Sequence, residues 1–203
     1  MDFVLYLEMH QPLEIKKDPA GRVSSWLDLV DWDASRRRFE EASGRCYAPL
    51  LKLLEELAPQ GLRVTVRVSG VLLEQAERWG RSLLEGLGRL VSQGALELIA
   101  GPYFNTPLVL PLEELVEQTR LHVSKLRELF CVEAKVCANP YLAYSDDLGS
   151  ALSDGLGMKA VLAEGASHLL AWRAPYFVYK HPSRSLLLLM RDPNLSNEVA
   201  FGL

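Results

Sequence analysis

The chain has 203 residues, 49% hydrophobic and 24% charged, a composition that suits an ordinary globular protein and leads us to expect one domain over residues 1–203. A net charge of −4 and a pI near 5.6 exclude the basic footprint that neutralises phosphates, so nucleic acid is not an expected partner. No run approaches the roughly 20 apolar residues that span a bilayer, Met1 to His10 lacks the basic start of a signal peptide, and Cys46, Cys131 and Cys137 form no C-x-x-C pair, which together point to a cytoplasmic protein without membrane contact or disulfide framework.

In chain order, Phe3 to Leu7 reads as a buried strand, followed by a polar loop with Pro12, Pro19 and Gly21. Ala34 to Leu57 carries Phe39, Ala42, Cys46, Leu50, Leu53, Leu54 and Leu57 near helical spacing, a long helix with a break near Gly44. Arg63 to Ser69 alternates Val64, Val66 and Val68 with polar residues, and Leu96 to Ala100 is a third strand, with helices between from Leu72 to Val91. Leu112 to Phe130 is a further amphipathic helix. Ala134 to Ala138 and Lys159 to Ala163 are strands separated by a helix from Asp146 to Leu156, whose C-terminus suits Gly155 and Gly157. Tyr176 to Tyr179 and Ser185 to Met190 are too close for a crossover helix and read as a β-hairpin. Strands alternating with helices define an α/β protein with a parallel sheet.

Ligands of parallel α/β sheets bind at the C-terminal ends of the strands. Those positions hold His10 and Gln11, Ser69, Asn139 to Tyr141, and Glu164, while Glu97 sits inside the third strand. A carboxylate in a buried run carries a desolvation cost unless it is paired or faces a polar cavity, which marks Glu97 for function. Asp146 and Asp147 read instead as the first turn of a helix, where the dipole favours acids. His10, His122, His168 and His181 make no metal-ligand spacing, and no Gly-rich loop opens a helix, so neither metal nor cofactor is expected.

The order of the polar segments is more specific than any one of them: Met9-His10-Gln11-Pro12, Cys46-Tyr47-Ala48-Pro49, Val68-Ser69-Gly70 through Gln75, Gly94-Ala95-Leu96-Glu97-Leu98, Tyr144-Ser145, Glu164-Gly165, and Leu195 to Phe201. The series resembles the N-terminal half of glycoside hydrolase family 57, on its α-amylase-like side, over nearly the whole chain. The resemblance implies an incomplete (β/α)7-type barrel, here about five barrel strands plus the C-terminal hairpin, and a retaining enzyme of α-glucans. It places His10 and Gln11 in the first substrate motif and Glu97 in the second. The nucleophilic Glu of the third motif corresponds to Tyr141, and the general-acid motif lies beyond the segment resembling Leu195 to Phe201. Asn105, after Tyr103 and Phe104, stands where many relatives have a His.

A retaining glycosidase uses two carboxyl groups about 5 to 5.5 Å apart, and an ordinary tyrosine, with a pKa near 10, is about one part in a thousand phenolate at pH 7. Three functions follow. A catalytically inactive homologue binds α-glucan or an oligosaccharide through His10, Gln11, Glu97 and Tyr141, or regulates an active relative. Alternatively the chain is half of an active enzyme with Glu97, Asp146 or Glu164 recruited. The third is a structural interaction protein in which Tyr141 plugs the old site. Five strands do not close a barrel, so a second copy or a complementary chain is expected over the open edge.

Overall fold

The computed structural model describes residues 3–18, 23–106 and 111–202; Pro19 and Gly21 of the expected loop lie outside them. The chain divides into two compact units, Met1–Leu98 and Ile99–Leu203, and each is an α/β arrangement built on parallel strands.

In the first unit β1 (Tyr6–Met9), β2 (Val64–Val68) and β3 (Leu96–Leu98) form a parallel sheet in the order β1-β2-β3. The first strand departs from the expected Phe3 to Leu7: Phe3 and Val4 are exposed, and pairing begins where Tyr6 meets Thr65. Cross-strand partners, not apolar content, set that boundary. Central strand β2 is buried at all five positions, including Thr65 and Arg67, so its alternation does not mark a solvent face.

The expected helix from Ala34 to Leu57 is two, α1 (Trp32–Ala42) and α2 (Ala48–Leu57), joined through a π turn over Ser43–Tyr47, where Gly44 suggested a break. Then α3 (Gly70–Trp79), capped by Ser69, and α4 (Arg81–Ser92) meet at Gly80. A side chain at Gly80 would overlap the buried Phe39 ring, and that ring also packs against Trp79 with centroids 6.0 Å apart.

In the second unit α5 (Leu112–Phe130) precedes β4 (Val136–Ala138). After α6 (Asp146–Leu156), β5 (Ala160–Glu164) and the single-turn α7 (Ser167–Leu170) come β6 (Val178–Lys180), β7 (Leu187–Arg191) and α8 (Pro193–Phe201). Ser145 caps the start of α6 by accepting from the Leu148 N–H, acids fill its first turn, and left-handed Gly157 ends it. The hairpin β6-β7 is antiparallel, as its short connection requires, and β7 also pairs in parallel with β5, giving the order β4-β5-β7-β6. The hairpin therefore belongs to the sheet.

The β5–β7 junction depends on Gly165. A Cβ there would fall on the Arg191 carbonyl oxygen and lie 3.0 Å from Pro175. Gly165→Ala is expected to destabilise the protein by about 1–3 kcal/mol, the usual cost of overpacking, read as a lowered midpoint in thermal or urea unfolding.

Candidate functional site

The first unit concentrates polar side chains on one side of its sheet. Tyr6, Glu8 and His10 alternate along β1 and just past it; Thr65, Arg67 and Ser69 alternate along β2, and Glu97 stands opposite Thr65. Arg67 is 0% exposed, and a buried guanidinium requires compensation. Its Nη2 donates to Glu8 Oε1 at 2.5 Å, its Nε donates to the Tyr6 hydroxyl at 3.4 Å, and that hydroxyl donates to Glu8 Oε2 at 3.3 Å. Burial pushes the Tyr6 phenol well above its ordinary value, against the opposing pull of Arg67.

His10 is half-buried and follows β1 directly. Its Nδ1 shares a 2.8 Å hydrogen bond with Ser69 Oγ, and its carbonyl accepts from the Tyr47 hydroxyl at 3.1 Å. The next carbonyl, of Gln11, accepts from Gln75 Nε2 at 2.6 Å. Segments that the sequence offered only as an ordered series thus converge on one turn. Tyr47 reaches it from the π turn, Ser69 from the cap of α3, and Gln75 from further along that helix. Burial lowers the His10 pKa, Arg67 lowers it further, and Glu8 opposes them.

Glu97 differs from expectation. It is exposed, while Ile99 is fully buried, so the desolvation argument does not apply to it. Its Oε2 accepts from the Thr65 hydroxyl at 3.3 Å, which fixes a carboxylate that still meets solvent.

In the second unit the parallel strands β4, β5 and β7 present their C-terminal ends together. After β4 the chain makes two consecutive turns, with Leu142 N–H donating to the Asn139 carbonyl at 2.9 Å and Ala143 N–H to the Pro140 carbonyl at 3.3 Å. The first has Pro140 second and left-handed Tyr141 (φ 58°) third, a type II arrangement in which Gly or Asn is usual. Leu142 is left-handed as well (φ 53°). Each such residue costs about 1–2 kcal/mol, and the turn holds the Tyr141 side chain out, 86% exposed. The buried Asn139 amide ties the turn by donating to the Ala143 carbonyl at 3.3 Å.

Two acids here are engaged. Glu164, last in β5, accepts through both oxygens from Arg191 Nη1 at 3.0 and 3.2 Å, and Arg191 Nη2 donates to Asn197 Oδ1 at 2.8 Å. Asp146 Oδ1 accepts from the Tyr144 hydroxyl at 3.2 Å, and burial first, then Asp146, raises the pKa of that phenol. Asn105 is left-handed (φ 56°), a conformation asparagine tolerates, and its N–H donates to the Pro102 carbonyl at 3.1 Å. Among the described residues no group of three or more His, Cys, Asp or Glu converges as a metal site, and no helix is long and apolar enough to cross a membrane.

His10, Gln11 and Glu97 thus belong to the first unit and Tyr141 to the second. Sequence reasoning passed over Tyr6, Glu8 and Arg67, although the period-2 spacing of Tyr6, Glu8 and His10 was a signal for them. It also passed over the Glu164–Arg191–Asn197 chain, in which Glu164 and Arg191 are strand partners and Asn197 reaches Arg191 from α8.

Parallel strands alternating with helices define an α/β protein. Residues 4–202 match Glycosyl hydrolase family 57, and the chain belongs to that family. A putative alpha-amylase of Methanocaldococcus jannaschii is 31% identical over 198 residues, which are 96% of this chain and 42% of that protein. Among solved structures, the 4-alpha-glucanotransferase of Thermococcus litoralis superposes with a TM-score of 0.75 at 22% identity, over 98% of this chain and 28% of that one. A family 57 branching enzyme of Thermococcus kodakaraensis, crystallised with glucose, gives 0.72 at 14% identity over 97% and 48%. The chain spans less than half the length of these relatives.

The lowered pKa of His10 sets a pH dependence. The unfolded chain takes up the histidine proton near its ordinary value of 6.5, whereas the folded chain takes it up only at lower pH. The folded state is therefore disfavoured as pH falls through and below 6.5, and the full contribution is present above it. A thermal midpoint that falls between pH 7.5 and 5.5, and falls less in His10→Gln, is the expected result.

Proposed function

We propose that this chain is an α-glucan-binding member of family 57 that does not turn its ligand over. The observation that carries the reading is Tyr141. Where the resemblance places the nucleophilic carboxylate, the chain spends two left-handed residues to hold out an 86% exposed phenol ring. Backbone strain of this kind persists where surrounding structure enforces it, and it clusters at ligand clamps. An aromatic ring stacks on the apolar face of a pyranose while its hydroxyl hydrogen-bonds. In the first unit, His10, Gln11 and Glu97 are assigned contacts to sugar hydroxyls, the first two on a turn pinned from three sides.

The carboxylates that a catalytic reading would recruit are poor nucleophiles here. Glu164 is neutralised by Arg191, and Asp146 is held by Tyr144 at a helix start. Glu97 stays exposed and, among the described residues, accepts only from the Thr65 hydroxyl, at a long 3.3 Å. The accompanying fold reading is an incomplete (β/α)7-type barrel within one family 57 domain, in a cytoplasmic protein. The edge strands β1 and β6 are where a second copy or a complementary chain would add.

Tyr141→Gly separates binding from packing. It removes the ring and suits the left-handed backbone, so we expect maltoheptaose affinity to fall about fivefold to tenfold by calorimetry with the melting temperature unchanged or raised. Unchanged affinity with a melting temperature lowered by several degrees would assign the ring to plugging instead. Incubation with amylose should release no reducing sugar; release that Glu97→Gln abolishes would establish the half-enzyme and overturn this reading.

A further inference from the structure

The connection from Glu164 to Val178 stays at one end of the second unit's sheet. It leaves the C-terminal end of β5 and enters β6 at Val178, which pairs with Leu189 in the middle of β7 and is the β6 residue on the side of β7's C-terminal end, since β6 runs antiparallel. Between them Pro175 packs against the Gly165–Arg191 junction. Tyr141 follows β4, the neighbour of β5, so the two connections crown adjacent strands at the same end.

This connection repeats the device seen at Tyr141. Ala171 has φ 53° and ψ −112°, a conformation unusual for any residue with a Cβ. Immediately after it Trp172 is 88% exposed. The backbone around it is fixed: Ala171 N–H donates to the Ser167 carbonyl at 2.9 Å, Arg173 N–H to the Leu170 carbonyl at 2.9 Å, and the Tyr179 hydroxyl to the Ala174 carbonyl at 2.8 Å. The Arg173 guanidinium carbon lies 5.3 Å from the Trp172 ring centroid, within cation–π range. Among the described residues, the interactions of the β4–β5–β7 sheet do not use this indole. A large apolar ring held in water on a rigid, strained loop is disfavoured for folding and pre-organised for binding.

We propose that Trp172 is a second sugar-stacking platform, so that the second unit binds an extended α-glucan chain through Tyr141 and Trp172 at separate positions. The inference rests on the glucan-binding reading of Tyr141 and adds a contact that only a longer oligosaccharide exploits. A neutral polysaccharide suits the pair, because each ring takes one apolar pyranose face and the intervening hydroxyls stay hydrated.

The test compares maltoheptaose and maltose binding, by calorimetry, in the wild type, Trp172→Ala, Trp172→Phe, Tyr141→Ala and Trp26→Phe, with native mass measured for each. Trp26 is an exposed tryptophan of the first unit and serves as the control. Trp172→Ala should weaken maltoheptaose about tenfold, the equivalent of about 1.4 kcal/mol, and narrow the preference for maltoheptaose over maltose. Trp172→Phe should keep most of the affinity and Trp26→Phe all of it. Maltoheptaose binding that falls in Tyr141→Ala but not in Trp172→Ala overturns this inference and leaves the glucan reading standing. No binding of either sugar to the wild type overturns both. A dimer that Trp172→Ala disperses, with sugar affinity unchanged, assigns the indole to a protein interface and overturns the inference as well.

Discussion

A guanidinium buried inside a parallel sheet is the constraint on which the first unit turns. Arg67 lies in the middle of β2 at zero exposure, and a cation there is tolerable only where partners replace the water it has lost. Glu8 and Tyr6 do so from the neighbouring strand, and the pairing ties side-chain chemistry to register, since Glu8 faces Arg67 and Tyr6 faces Thr65. A one-residue slip would send Glu8 to the opposite face and strand the charge. The same register delivers His10 to Ser69 and sets the cation near enough to disfavour imidazolium. Polar groups here therefore specify the sheet as firmly as the valines beside them.

The second unit works by conformational strain. Its strand ends are stapled by Glu164, Arg191 and Asn197 and by the close approach at Gly165. Against that rigid base, left-handed residues lift two aromatic rings into solvent. Unfavourable backbone and exposed ring surface in the same two places argue against accident, because folding alone would remove both.

The helices were the most legible part of the sequence. Residues 112–130 and 146–156 follow from apolar spacing, from the acids and Ser145 at one start, and from Gly157 at one end. The first strand was misplaced because Phe3 and Val4 are apolar without having strand partners, whereas Glu8 is polar and has one. His10, Gln11, Glu97 and Tyr141 stood out by the order of their segments. Their surroundings did not, since the contacts of His10 and Gln11 come from residues 37, 59 and 64 positions away. Glu97 looked buried in sequence because its neighbours are, yet a three-residue strand at the edge of its sheet leaves it to solvent.

The π turn at Ser43–Tyr47 has a consequence for helical phase. From Phe39 to Leu51 is 51 − 39 = 12 positions, and at about 100° per residue an unbroken α-helix would set these two buried side chains about 120° apart. The wider turn, closed by the Ala48 N–H on the Ser43 carbonyl, absorbs one residue and brings the offset to about 20°. Tyr47, eight positions after Phe39, comes onto that same face by the same correction. The irregular turn thus acts as a phase corrector. A single-residue deletion near Gly44 would leave 12 − 1 = 11 positions and the same offset of about 20° in a regular helix, so it keeps the core face. Straightening the turn without removing a residue would instead rotate everything after it by about 100° off the core.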